Sequence, residues 1–277
     1  MCDPMEASSG SSNCPTYALL IGINYVGTNY YLPGCENDIL DMYKFLKNHG
    51  FTAFDILGDS EVFDGIHPCL SPTAMNIVGA LGRMILWAAE NPTGRIFIHY
   101  SGHGCFISEL TAGSESDGHD ECMVSSDIQL IPDDYLRSML GRIPEGVTVF
   151  SLMDCCHSAT ILDLKYMMTT QDMTVETSRP ALAATVIMLS GCTDAQTSLS
   201  ALINNRWSGV MTKSFLMLMD FVEQSPHKRI SPKHVWVYTN LFLRNFPQTP
   251  QLTSSVSDFD SKEIECSPNS FSIVNRD

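Results

Sequence analysis

Two stretches decide the fold: RIFIHYSGHG at 95–104 and VTVFSLMDCCHS at 147–158. Each opens with a mostly apolar run of strand length and ends in small, polar or reactive residues, Ser101-Gly102-His103-Gly104 in one and Asp154-Cys155-Cys156-His157-Ser158 in the other. Apolar runs of that length mark strands buried on both faces, the habit of parallel sheets. Working outward, the same signature recurs at Tyr17–Ile23 (YALLIGI), Phe51–Leu57 and Ala184–Leu189 (ATVIML). Helical spacing predicts helices over Glu36–Asn48, over Thr73–Glu90 with Ser71-Pro72 as its entry, and over Pro132–Leu140, Ser208–Glu223 and Ser231–Leu243. Phe271–Val274 reads as an edge strand, residues 165–182 as a polar linker and residues 1–15 as a Ser-rich flexible tail. Strand and helix alternate through the first 153 residues, which predicts an α/β fold with a mostly parallel central sheet flanked by helices.

Composition narrows the function classes. The chain has 277 residues, 44% hydrophobic and 17% charged, enough to bury a sizeable core as one domain. Its formal charge is −15, from 16 basic and 31 acidic residues. Such a surface repels phosphate backbones and anionic lipid heads, so neither nucleic acid nor a membrane surface is the expected partner, whereas basic peptides and divalent cations are. No apolar run approaches the roughly 18 residues of a membrane span. The start Met1-Cys2-Asp3-Pro4 has no secretory pattern, and position 2 is not the Gly that myristoylation requires. The ten cysteines include no CxxC pair, which predicts reduced thiols in a cytoplasmic protein, and we expect a monomer.

Parallel α/β sheets place ligands beyond the carboxyl ends of their strands. One such end offers His103 between two glycines, another offers Cys155 and Cys156. A thiol nucleophile needs an imidazole to take its proton. The 53 residues from His103 to Cys156 (156 − 103) suit two neighbouring parallel strands joined by one crossover.

HYSGHG at 99–104 and DCCHSATILDL at 154–164 resemble the two signature segments of the metacaspases, relatives of the caspases; a His about 50 residues upstream of the Cys is itself a caspase signature. YALLIGINY at 17–25, GCENDI at 34–39, SDGHDE at 116–121, IPDD at 131–134 and VIMLSGCTDAQTS at 186–198 extend the likeness, in order, to about residue 245. The resemblance implies a caspase-like three-layer sandwich. It divides residues 16–277 into a large-subunit region to about 165, the linker from about 166 to 182, and a small-subunit region from about 183. It places the catalytic base on His103 and the nucleophile on Cys156 rather than Cys155. His157 neighbours the nucleophile and on a strand would face the opposite way. The oxyanion donors would be backbone N–H groups at Gly104 and Cys156. The tail at 1–15 is too short for a sizeable prodomain. Two departures stand out. Ala159 occupies a position where the family usually has Gly, and of the two basic linker residues, Lys165 and Arg179, the second precedes Pro180, which disfavours cleavage there.

Between Glu109 and Asp134 lie eight carboxylates and no Lys or Arg. Residue types alone leave open a solvated loop or a hard-cation site, and the EF-hand pattern is absent. The resemblance implies Ca2+ as activator, held by Asp117, Asp133, Asp134 and Asp163. The family's substrate-pocket positions fall on Cys35, Asp38, Ser101 and Asp154. Carboxylates there favour a cationic side chain before the scissile bond, Arg above all because it pairs bidentately. The alternative roles are structural: Asp38 capping the first helix and Asp154 ordering the cysteine loop. The expectation is a calcium-dependent cysteine endopeptidase cleaving proteins and peptides after Arg or Lys. Its rival is a catalytically weak or inactive relative that acts as a calcium-dependent binding module.

Overall fold

The computed structural model describes residues 14–60, 69–108, 119–156, 160–170, 173–177, 179–191, 200–203, 205–258 and 261–276. In chain order, β1 (Thr16–Gly22) leads to α1 (Cys35–Asn48), β2 (Ala53–Gly58), α2 (Ala74–Glu90) and β3 (Arg95–Ser101). A meander of β4 (Gly104–Ser108), β5 (His119–Val124) and β6 (Leu130–Pro132) precedes α3 (Asp133–Leu140) and β7 (Thr148–Asp154). Then come β8 (Tyr166–Thr170), β9 (Met173–Glu176), β10 (Thr185–Ser190), β11 (Ser200–Ile203), β12 (Arg206–Gly209) and α4 (Val210–Gln224). The chain closes with β13 (Arg229–Ile230), α5 (Pro232–Leu243), β14 (Gln251–Ser254), β15 (Lys262–Ser267) and β16 (Ser270–Asn275).

The main sheet has eight strands in the order β2-β1-β3-β7-β10-β14-β8-β9. The first five are mutually parallel and the last three are joined antiparallel. Residues 166–176, read as linker from their polarity, thus supply two strands at the end of this sheet. Phe271–Val274 falls within β16, an edge of a separate three-stranded sheet. The second helix is capped by Thr73, whose Oγ1 accepts from Asn76 N–H at 3.3 Å, two residues after the predicted Ser-Pro entry.

Apolar runs became central strands because both faces are covered. Along β1, Tyr17, Leu19 and Ile21 enter the core under α2 and α3, while Ala18 and Leu20 enter the core under α1 and α4. On the second side Phe97, Phe150, Phe215 and Phe271 form one aromatic cluster, with Phe150 stacked 5.5 Å from Phe215. This double-sided packing fixes the register, and the register brings Gly22, Ser101 and Asp154 side by side at the carboxyl ends of β1, β3 and β7.

Candidate active site

The two decisive stretches lie on adjacent parallel strands, β3 and β7, as their spacing predicts, with Ser101 opposite Asp154. His103 follows β3 on a short turn held by two tyrosines. Its main-chain N–H donates to Tyr25 Oη at 2.8 Å, and its carbonyl accepts from Tyr100 Oη at 2.6 Å. The imidazole packs on the Tyr25 ring, centroids 4.5 Å apart. Its Nε2 is 2.7 Å from the Tyr30 carbonyl oxygen. A carbonyl only accepts, so the neutral ring carries its proton on Nε2 and keeps the Nδ1 lone pair for a proton from substrate or thiol. Burial and neighbouring thiols raise the Tyr25 and Tyr100 hydroxyls well above the usual tyrosine range, so both stay neutral props.

Gly104 explains why a glycine follows the histidine. A Cβ there would run into the Cys156 carbonyl oxygen and lie 3.5 Å from its nitrogen. The backbone of β4 therefore rests directly on the peptide of the predicted nucleophile, and the N–H groups of Gly104 and Cys156 sit in one neighbourhood. Cys155 is wholly buried in the core beneath α2, while Cys156 retains 7% exposure. His157, Ser158 and Ala159 lie outside the described residues.

Cys35, Asp38, Ser101 and Asp154 converge at the strand ends, all buried. Asp38 does not cap its helix: Gly34 holds that position without a side-chain bond. Its Oδ2 instead accepts from Ser101 Oγ at 2.7 Å, and both its oxygens accept from Gly209 N–H at 2.9 and 3.0 Å. Asp154 Oδ2 accepts from Thr212 N–H at 2.9 Å and Thr212 Oγ1 at 2.8 Å. Burial, then the charge on Asp154, pushes the Asp38 carboxyl well above the usual carboxylate range. Burial and the Asp38 charge do the same to the Cys35 thiol, which therefore stays protonated. Ionising both carboxyls this close together is unfavourable, and a cationic side chain between them would favour it.

Gly209 and Thr212 escaped sequence reasoning. Gly209 ends β12 directly over the two carboxylates; a Cβ there would meet Asp38 Oδ2 at 2.7 Å and Asp154 Oδ2 closer still. Its torsions are ordinary, φ −64° and ψ 132°, so close approach rather than backbone freedom requires the glycine.

The acidic cluster assembles in part. One oxygen from each of Asp133, Asp134 and Asp163 lies within 4.8 Å of the others, a spread that a single ion with Ca2+–O distances of about 2.3–2.6 Å bridges. Asp117 lies outside the described residues. Asp163 Oδ2 is buried with no hydrogen-bond partner, and the residue sits at φ 49°. Burial, Asp133 and Asp134 push Asp163 up to about 8, while the Arg137 guanidinium pulls the other way; the Arg179 guanidinium lies 2.9 Å from Asp163 Oδ1. Asp133 is pushed up to about 6, by burial first. An oxygen-rich, partly dehydrated, mutually repelling donor set fits a hard divalent cation.

The sequence profile described as "Metacaspase, peptidase C14 domain" matches residues 17–165. Metacaspase-1 of Meyerozyma guilliermondii is 30% identical over 88% of this chain and 71% of its own length. Metacaspase-1 of Mycosarcoma maydis is 29% identical over 86% and 70%; Metacaspase-7 of Arabidopsis thaliana is 40% identical over 53% of this chain and only 35% of itself. The crystal structure of protein GSU0716 from Geobacter sulfurreducens superposes with a TM-score of 0.61 at 24% identity, covering 87% of this chain and 93% of that one. Caspase-1 from Spodoptera frugiperda superposes at 0.55 and 10% identity, covering 92% and 89%. These likenesses in structure establish the caspase-like fold. The profile match spans both signature strands and the loops beyond them, and this chain belongs to the metacaspase family of cysteine peptidases.

Proposed function

We propose that the chain is a calcium-dependent endopeptidase that cleaves after Arg or Lys through His103 and Cys156. The observation that carries the specificity is the buried pair Asp38 and Asp154, joined by Ser101, Thr212 and Gly209 at the strand ends beside the nucleophile. A guanidinium entering there meets two carboxylates already stripped of water, where pairing is stronger than at a surface.

In this reading His103 Nδ1 takes the proton of Cys156, and the thiolate attacks the carbonyl carbon of the scissile bond. The resulting oxyanion is held by the N–H groups of Gly104 and Cys156. Collapse breaks the C–N bond, His103 returns its proton to the leaving amine, and a thioester remains on Sγ. Water, deprotonated by the same ring, hydrolyses it. Asp133, Asp134 and Asp163, with Asp117, would hold calcium; bound there, the ion supplies positive charge that relieves their repulsion. Asp163 lies seven residues past Cys156 (163 − 156), so ordering its loop acts on the nucleophile without the ion touching substrate. The chain is expected to act as a monomer on basic peptide segments of protein substrates.

The test is a set of fluorogenic peptides ending in Arg, Lys or Asp, assayed in excess chelator and with calcium or magnesium, on the wild type and Asp154→Asn. Cleavage of Arg and Lys peptides that rises with calcium, changes little with magnesium and falls in Asp154→Asn is expected. Efficient cleavage after Asp, or full activity in chelator, would sink the corresponding half of the reading.

A further inference from the structure

Arg179 belongs to the segment between β9 and β10, yet its side chain reaches the acidic cluster beside α3. Its Nη1 is 3.3 Å from Asp134 Oδ1 and its Nη2 is 2.9 Å from Asp163 Oδ1, with the guanidinium side chain 14% exposed. Those are two of the three carboxylates whose oxygens converge within 4.8 Å. The third feature of the site is Asp163 Oδ2, buried and without a hydrogen-bond partner. Asp133 and Asp163 are buried and Asp134 is 34% exposed; a guanidinium brought from a separate element sets a cation against them, in addition to Arg137, whose charge also acts on Asp163.

We infer that Arg179 is a built-in cation of the Asp133–Asp134–Asp163 cluster, and that a divalent ion entering the cluster must displace it. The inference rests on the calcium reading above. A calcium ion takes its oxygens at about 2.3–2.6 Å, and the guanidinium already lies against one carboxylate oxygen each of Asp134 and Asp163. Two cations at that separation repel, so arginine and ion exclude one another. The ion brings two charges against one and wins once its concentration is high enough, so its affinity contains the strength of the Arg179 pairs as a competing term.

The exchange has a mechanical side. Arg179 N–H donates to Thr177 Oγ1 at 3.3 Å, Thr177 N–H donates to the Lys165 carbonyl at 2.8 Å, and Arg137 donates to the Pro180 carbonyl. Expelling the guanidinium removes the ion pairs that tie this segment to Asp134 and Asp163; the segment leads into β10, the neighbour of β7. The ion therefore tightens the loop that carries Asp163 and slackens the one that carries Arg179.

Calorimetric titration of the full chain with calcium tests this, using wild type, Arg179→Gln and the charge-preserving Arg179→Lys. Arg179→Gln should bind calcium about tenfold more tightly, the scale of one lost partly buried ion pair, with Arg179→Lys between. Without metal, Arg179→Gln should melt below the wild type, and saturating calcium should close that gap. Unchanged or weaker calcium affinity in Arg179→Gln, with binding intact in the wild type, overturns the role of Arg179 and leaves the calcium site standing. No binding by any of the three proteins overturns both. Binding by Arg179→Gln alone supports the competition in its strongest form.

Discussion

Substituting Gly209 by Ala should close the substrate pocket without altering a charge. The added methyl carbon would be built 2.7 Å from Asp38 Oδ2 and nearer to Asp154 Oδ2, inside the 3.0 Å that real Cβ atoms respect. The backbone accommodates Ala, at φ −64° and ψ 132°, so the cost is local crowding. The carboxylates cannot swing aside freely, because Ser101, Thr212 and the Gly209 N–H hold them at 2.7–3.0 Å. Overpacking of this kind lowers stability by about 1–3 kcal/mol. The larger effect falls on catalysis: an incoming guanidinium that loses a desolvated charge contact forfeits about 2–5 kcal/mol, roughly 30- to 5000-fold in kcat/KM. Steady-state kinetics on an Arg-ending peptide would measure it. In parallel, the rate of Cys156 alkylation by iodoacetamide, followed by mass spectrometry, reports a nucleophile reached without the pocket. A large loss in peptide cleavage with near-normal alkylation is expected. Equal loss in both, or undiminished peptide cleavage, would refute the placement of the pocket beneath Gly209.

Cys156→Ala should abolish peptide cleavage while Cys155→Ala, which removes a core thiol, retains much of it; assays on the two variants decide the register, and loss confined to position 155 would reverse it. Gly104→Ala should cut kcat by an order of magnitude or more, as the methyl forces β4 away from the Cys156 carbonyl and disturbs the oxyanion donors; unchanged kcat would remove Gly104 from that role. His99 is fully buried with its Nδ1 3.0 Å from the Leu152 carbonyl, and burial lowers it to about 4 from 6.5. The unfolded chain therefore takes up that proton first, so the folded state loses about 3 kcal/mol as pH falls from roughly 6.5 to 4, with no change above. Denaturant melts at pH 7 and pH 5 for wild type and His99→Gln should show the variant losing less on acidification; equal losses would exclude His99 as the cause.

The alternation of strands and helices was legible because β1, β3, β7 and β10 are covered on both faces, which writes them as mostly apolar runs. Short strands with one wet face carry no such mark. β4 alternates between half-buried and exposed residues, and it passed unnoticed with its partners β5 and β6. The polar 165–182 stretch concealed β8 and β9, whose place is fixed by pairing with β14 from far along the chain rather than by local pattern. The same division holds at the site. His103 and Cys156 announce themselves at strand ends, and Cys35, Asp38, Ser101 and Asp154 came through the family likeness and do meet in space. Gly209 lies 171 residues from Asp38, and Thr212 lies 58 from Asp154. Neither is a reactive residue, and nothing near either one marks it. Arg179 was noticed as a cleavage point, but its partners Asp134 and Asp163 could be found only by folding the chain.

The proposed pocket is floored by α1 early in the sequence and roofed by Gly209 and Thr212 well after it, with the nucleophile made in between. During synthesis, then, the thiol and the imidazole emerge from the ribosome more than fifty residues before the roof does (209 − 156). A nascent chain at that stage has its chemical groups but no means of selecting a basic side chain. Any fragment ending before residue 209 shares that defect. On the proposed specificity, selection of a basic side chain waits until the chain has been made past residue 212, with no separate inhibitor required.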